Sequence, residues 1–296
     1  LRGVNSDTSI SIRLTGGSKS SFNGANNRKT ELLVPAAHLN FYLNERIHMK
    51  ELLFFCVCNE PYEHFIPIFT YFVHRTQPSA ALEFHTVNDD KFQYLTELYD
   101  VEIHHIDEHP GKNFATFRWL LEPHRKFPYT YIGDVDILVI QNVLELHRNL
   151  VTPEYPISNI VRNYEDPYPK LSGLQFVISE PYFTQTKAIR DELSQLDSTF
   201  QTNDECTLYQ IVKESFGIEG ILQVNPERRR PVCGIHCSPH REPYGLPGWG
   251  LAEKETTGNR ITRTLALLEE DEFKRLEEKF DPKLQAVVEF LRGLKT

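Results

Sequence analysis

The chain has 296 residues, 40% of them apolar and 25% charged, an ordinary globular composition with room for one large α/β domain, or one domain with appendages. A formal net charge of −9 excludes a dedicated nucleic-acid binder, because neutralising phosphates needs an excess of Lys and Arg. The longest uncharged apolar run, Leu52–Cys58, is far too short to span a bilayer, and a peripheral membrane contact has no support in the sequence.

Residues 1–30 are rich in Ser, Gly, Asn and Thr and read as linker. Gly16-Gly17-Ser18-Lys19-Ser20 superficially suggests a phosphate loop, but it lacks that motif's glycine spacing and its strand-to-helix setting. From residue 51 the pattern becomes regular. Leu52–Cys58 predicts a buried strand, 62–75 a helix opened by Pro61, 82–87 a strand and 92–99 a helix. Residues 101–106 predict a strand, 114–121 a helix stopped by Pro123, and 129–133 the next strand. Repeated strand–helix alternation means crossover units on a mostly parallel sheet, which binds ligands beyond the carboxyl ends of its strands.

The second half is less uniform. Strands are expected at 157–161, 174–179 and 220–224, and helices at 181–196 and 205–216. Thr202 and Glu205 have the spacing of a capping box. Residues 225–250 read as a long loop, and a loop of that length is usually functional or disordered. Two helices are expected in the tail, over 263–279 and 282–294.

Asp134-Val135-Asp136 interrupts an otherwise apolar run from Tyr129 to Ile140. Two carboxylates there are costly to bury unless a cation compensates them. If the backbone stays extended, positions i and i+2 share a face and both can converge on one ion. The competing reading is that Asp134 ends a strand and opens a turn.

The five cysteines, an odd number in apolar or cleft-like contexts, suggest reduced thiols and a cytoplasmic setting. A zinc site from Cys56, Cys58, Cys233 and Cys237 is the rival, though the spacing is not that of a zinc ribbon. No signal peptide is visible and the chain starts at Leu1, so the expectation is a piece of a longer polypeptide with further domains. Arg228-Arg229-Arg230 reads as a solvated charge run, or else as a contact to donor phosphates or an anionic acceptor.

Ala115-Thr116-Phe117-Arg118-Trp119, followed by Asp134-Val135-Asp136-Ile137-Leu138-Val139, resembles the family 8 glycosyltransferases. Later segments fall in that family's order: Ser172-Gly173, the stretch from Asn203 to Leu208, and Gly234-Ile235-His236. The chain departs from the family with Leu171 before Ser172-Gly173, with Asp204-Glu205-Cys206, and in lacking the late Lys near Pro247 and Trp249.

The resemblance, over about 52–249, implies a GT-A fold: an α/β, Rossmann-like nucleotide-sugar domain with a mostly parallel central sheet. It would cover 48–250, after a lead-in over 1–47 and before a helical extension over 251–296. The implied activity is metal-dependent transfer of a hexose from a uridine-linked nucleotide sugar to a glycan hydroxyl, with surface polysaccharide synthesis as the setting. Asp134, Asp136 and His236 would hold Mn²⁺ or Mg²⁺. Val57, Asn59, Tyr62, Arg118, Asp134, Val135 and Asp136 would bind the donor. Asp204 and Glu205 would serve catalysis, one deprotonating the acceptor if the enzyme inverts, or both flanking the reacting carbon if it retains. Residues 225–250 would fold over the donor and bring His236 to the metal, with His240 as the substitute. A non-catalytic sugar- or nucleotide-binding module and a sugar nucleotidyltransferase are the alternatives.

Overall fold

A strand apolar at every position needs both faces covered. The computed structural model describes residues 50–107, 113–162, 169–197, 203–218, 234–237 and 259–293, all within one compact unit, Lys50–Thr296. In it β1 (Leu52–Cys58) is buried at every position. Its neighbours are β2 (Ala80–Thr86) on one side and β4 (Tyr129–Ile132) on the other, both parallel to it. β3 (Val101–His105) continues the sheet beyond β2, also parallel. Beyond β4 lie β9 (Gln175–Ile178) and β6 (Ile157–Ser158), both paired antiparallel, giving the order β3-β2-β1-β4-β9-β6. The expected α/β class and mostly parallel central sheet are what the chain forms. Leu52–Cys58 and the strand before Asp134 are adjacent in it, with Leu52 opposite Tyr129.

Alternation along β1 feeds two cores. Phe54, Cys56 and Cys58 face helix α2 (Ile66–Thr76), whose Phe69, Phe72 and Val73 are fully buried. At about 1.5–3 kcal/mol for each such side chain, this face is the main reason α2 stays put. The C-terminal helices α7 (Asn259–Leu268), α8 (Asp271–Glu277) and α9 (Pro282–Arg292) add Leu268, Phe273, Leu284, Val288 and Leu291 to the same core. Phe55 and Val57 point the other way, toward Trp119 and Leu120 of α3 (Phe117–Leu120). That core is completed by α5 (Ser179–Ser194) and α6 (Asp204–Phe216). Buried Arg190 ties α5 to the end of α3 through the carbonyl of Leu120 at 3.2 Å.

Several elements differ from the sequence reading, each for a local reason. The helix expected over 62–75 splits into α1 (Glu60–Glu63) and α2, because Pro67 cannot donate to the carbonyl four residues back. The helix expected over 92–99 is a 3₁₀ turn, Asp89–Leu95, whose tighter winding stacks Phe92 and Leu95 three residues apart. The 114–121 helix is a 3₁₀ turn, Phe114–Thr116, followed by the short α3. The single strand expected over 157–161 becomes β6 and β7 (Val161–Arg162). Between them Asn159 Oδ1 accepts from its neighbour's N–H, that of Ile160, at 2.7 Å and diverts the chain. β7 pairs with β8 (Lys170–Leu171). The helix expected over 263–279 breaks at Glu270, whose carboxylate accepts from Tyr71 and pairs with Arg75, each at 2.8 Å. The strand expected over 220–224 lies outside the described residues. So do the lead-in over 1–47, Arg228-Arg229-Arg230, His240 and all of 225–250 except 234–237. Among the described residues no helix is long and apolar enough to cross a membrane.

Candidate active site

The sheet order fixes where a ligand can sit. The chain lays down β1, β2 and β3 outward in one direction, then returns to place β4 on the other side of β1. The crevice between the carboxyl ends of β1 and β4 is therefore the topological switch point. A cavity of about 500 Å³ opens there, within the ordinary range for small-molecule sites.

All ten residues singled out from the sequence line this one cavity: Val57, Asn59, Tyr62, Arg118, Asp134, Val135, Asp136, Asp204, Glu205 and His236. They arrive on separate elements. Val57 is the penultimate residue of β1, and Asn59 and Tyr62 follow at the entry and body of α1. Arg118 comes from α3, set up by Asn113, whose side chain accepts from the Ala115 N–H at 3.2 Å. Asp204 and Glu205 open α6. Its cap is Asn203, accepting from the Glu205 N–H at 2.9 Å, and not the expected Thr202, which lies outside the described residues. Lys170 also lines the cavity and was missed by sequence reasoning. Its place depends on the two-residue ladder of β7 and β8, which has no periodicity to read.

The run from 129 to 140 is not one extended strand. It leaves the main sheet after Ile132 and turns through Val135 and Asp136, with the Ile137 N–H 3.4 Å from the Asp134 carbonyl. It then resumes as β5 (Ile137–Val139) in a separate two-stranded sheet. The turn, and not a shared strand face, presents Asp134 and Asp136. The partner of β5 is β10 (Gly234–His236), with His236 opposite Ile137. The Cys237 N–H donates to the Asp136 carbonyl at 2.6 Å. His236 Nε2 thereby stands 3.1 Å from Asp136 Oδ2, across 100 residues of chain. Gly234 permits this pairing, since a Cβ there would lie 1.7 Å from the Leu138 carbonyl oxygen.

Arg118 is the electrostatic hub. Its guanidinium bridges the carboxylates of Asp134 and Asp204 and stacks 4.6 Å above the Trp119 ring. Burial acts against the Arg118 cation, but Asp134 and Asp204 outweigh it and raise its pKa. Burial would likewise push Asp204 up, yet Arg118 and the Trp119 N–H, at 3.4 Å, hold it below its ordinary value. A carboxylate held ionised in this way is a weak base. Asp134 goes the other way: burial and the nearby Asp136 raise it despite Arg118. Glu205 accepts from the Gly173 N–H at 3.0 Å, and Lys170 Nζ lies 3.5 Å from it.

The lining therefore holds four carboxylates, Asp134, Asp136, Asp204 and Glu205, against two permanent cations, Arg118 and Lys170. Two carboxylates and one imidazole on one wall suit a hard divalent cation by type. Among the described residues these three do not form a preformed metal cluster, and Asp134 is paired with Arg118. The thiols are different. Burial pushes Cys58 up to about 12 and raises Cys56 and Cys237 as well, which disfavours the thiolates a zinc site needs. Cys233 lies outside the described residues.

No protein-family model matches the chain, and no curated protein matches it. Solved structures of similar fold include the glycosyltransferase GlyE of Streptococcus pneumoniae TIGR4, at 12% identity and a TM-score of 0.43. That match covers 57% of this chain and 44% of GlyE, so the chain spans less than half of GlyE's length. The galactosyltransferase LgtC, solved with donor and acceptor sugar analogues, aligns at 11% identity and a TM-score of 0.43, over 79% of this chain and 99% of LgtC. A 4-diphosphocytidyl-2C-methyl-D-erythritol synthase from Anaerococcus prevotii DSM 20548 aligns at 12% and 0.36, over 55% and 84%. At these scores the similarity assigns no activity.

Proposed function

We propose that the chain is a metal-dependent glycosyltransferase that moves a hexose from a uridine-linked nucleotide sugar to a hydroxyl of a glycan acceptor. The observation that carries this is the charge of the switch-point cavity, where four carboxylates face two permanent cations. Such a pocket repels a diphosphate on its own and attracts it once a divalent cation is present. The same location is where open α/β sheets take nucleotides.

Asp134, Asp136 and His236 would hold Mn²⁺ or Mg²⁺. When bound, the ion supplies Lewis-acid stabilisation of the charge that builds on the departing diphosphate. Arg118 keeps its charge throughout and offers planar donors to phosphate oxygens once Asp134 turns away. Its buried Nε has no hydrogen-bond partner among the described residues, so a donor remains to be satisfied. Asn59 and Tyr62, past the end of β1, line the cavity and would meet the nucleoside end of the donor. Lys170 stands 3.5 Å from Glu205 and adds a second cation to the cavity. Of the two expected catalytic carboxylates, Glu205 is the better placed to act on an acceptor, because Asp204 is committed to Arg118.

The test is product analysis with a panel of nucleotide sugars and Mn²⁺. Release of free nucleoside diphosphate together with a glycosylated acceptor is the expected result. Pyrophosphate released from a nucleoside triphosphate would replace this reading with a nucleotidyltransferase. Calorimetric binding without turnover on any acceptor would replace it with a binding module.

A further inference from the structure

A second group of chemistry-bearing side chains lies at the β2–β3 edge of the sheet, and none of it lines the switch-point cavity. Glu83 and His85 are two apart on β2 and so share a face, the one that also carries Phe55 and Val57 of β1. In the parallel ladder His85 stands directly opposite His104 of β3. The loop after α3 lays His124 over both. The ring centroids are 5.1 Å apart for His85–His104, 5.1 Å for His85–His124 and 4.4 Å for His104–His124. One ligand atom from each of the four side chains can be chosen so that all lie within 4.8 Å of one another.

We infer that Glu83, His85, His104 and His124 form a binding site for one zinc ion, separate from the donor site. Three imidazoles and one carboxylate are the ligand types zinc takes in four-coordinate sites, and imidazole-rich sets favour it over Mg²⁺ or Mn²⁺. Glu83 is fully buried; burial acts to raise its pKa, but the His85 ring and the N–H groups of Arg125 and His124 outweigh that and lower it. Glu83 accepts from His124 N at 2.8 Å and Arg125 N at 2.9 Å, which ties the loop carrying His124 to β2. Arg125's own charge is committed elsewhere, to Asp100 at 2.8 Å and Glu102 at 3.4 Å.

A purely hydrogen-bonded network would use its donors and acceptors. His104 does not: its buried Nε2 has no hydrogen-bond partner among the described residues, with Glu102 Oε2 standing 3.4 Å away. Burial and the neighbouring His85 hold His104 below its ordinary pKa. A hydrogen bond joins Glu83 Oε1 and His85 Nε2, 2.8 Å apart. Coordination displaces the proton of that bond to solvent, as metal binding to His and carboxylate ligands does generally. The ion would clip edge strand β3 and the loop leading into β4 onto β2.

The experiment is calorimetric titration of Zn²⁺ into the chelator-treated full chain, with thermal unfolding of the same samples. The wild type and Asp136→Ala, which removes the other candidate site, are both expected to bind one ion and gain thermal stability. His104→Ala and His124→Ala are expected to weaken it by about 100-fold or more, since even outer-shell changes cost 10–100-fold. His124 is exposed, so its variant tests the site in a chain that still folds. Absence of zinc binding in the wild type overturns the inference. So does wild-type zinc affinity in a His104→Ala/His124→Ala double variant, or loss of the ion on Asp136→Ala alone.

Discussion

At the switch point, Asp134 and Asp204 share the guanidinium of Arg118, a cation the chain itself supplies. At the β2–β3 edge, Glu83 is at least as deeply buried, yet its neighbours are three imidazoles and two backbone N–H groups. The first site is carboxylate-rich with a resident cation beside it, and the second imidazole-rich with none among its ligands. The two cation sites proposed on this one sheet would be kept apart by ligand chemistry. Oxygen donors at the cavity suit Mn²⁺ or Mg²⁺, whereas nitrogen donors at the edge suit zinc.

Removing the resident cation should have the largest effect. Arg118→Ala leaves two half-buried carboxylates uncompensated and should cost about 3 kcal/mol in denaturant unfolding. Mn²⁺ should restore part of that loss, whereas Zn²⁺ at the edge should stabilise wild type and variant alike and leave the difference between them unchanged. A loss below about 1 kcal/mol would mean that Arg118 is not the hub of the cavity.

Asp136→Ala comes next. It should weaken Mn²⁺-dependent binding of the nucleotide by about 100-fold, or about 2.7 kcal/mol, while leaving the edge cluster untouched. Unchanged metal dependence in a nucleotide-binding assay would remove Asp136 from the metal set. His236→Ala should be milder, about tenfold or about 1.4 kcal/mol, because an imidazole contributes no formal charge. Wild-type metal dependence in that variant would leave two aspartates, the diphosphate and water as the shell.

The smallest effect is in pH dependence. Asp204 and Glu83 are both held below their ordinary values of 3.8 and 4.5. The stability each contributes is fully present above the ordinary value and is lost as pH falls through the lower folded one. Acid unfolding of the wild type should therefore show both contributions below about pH 4.5, and Arg118→Ala should remove only that of Asp204. An identical acid limb in the two proteins would mean that Arg118 does not set the Asp204 titration.

Sequence alone was sufficient wherever chemistry is carried by local pattern. The all-apolar run of β1 pointed to a buried strand, because seven residues is strand length and both faces of such a strand are covered in a mostly parallel sheet. Alternation of strands and helices dictated a mostly parallel sheet. The Asp134-Val135-Asp136 interruption marked the end of β4 as the place for chemistry, and the ten residues chosen converge on one cavity there.

What the tertiary structure decided is everything that depends on pairings distant in the chain. His236 reaches Asp136 only because β10 pairs with β5, three residues against three, too short a ladder to leave a periodic trace. Arg118 turns out to bridge two carboxylates 16 and 86 residues away, a relation no spacing encodes. Glu83, His85, His104 and His124 read in sequence as scattered residues, and only the in-register pairing of β2 with β3 makes them a cluster. Local sequence sets which backbone states are cheap. Which distant side chains meet is set by the register of strands and by the loops that return between them.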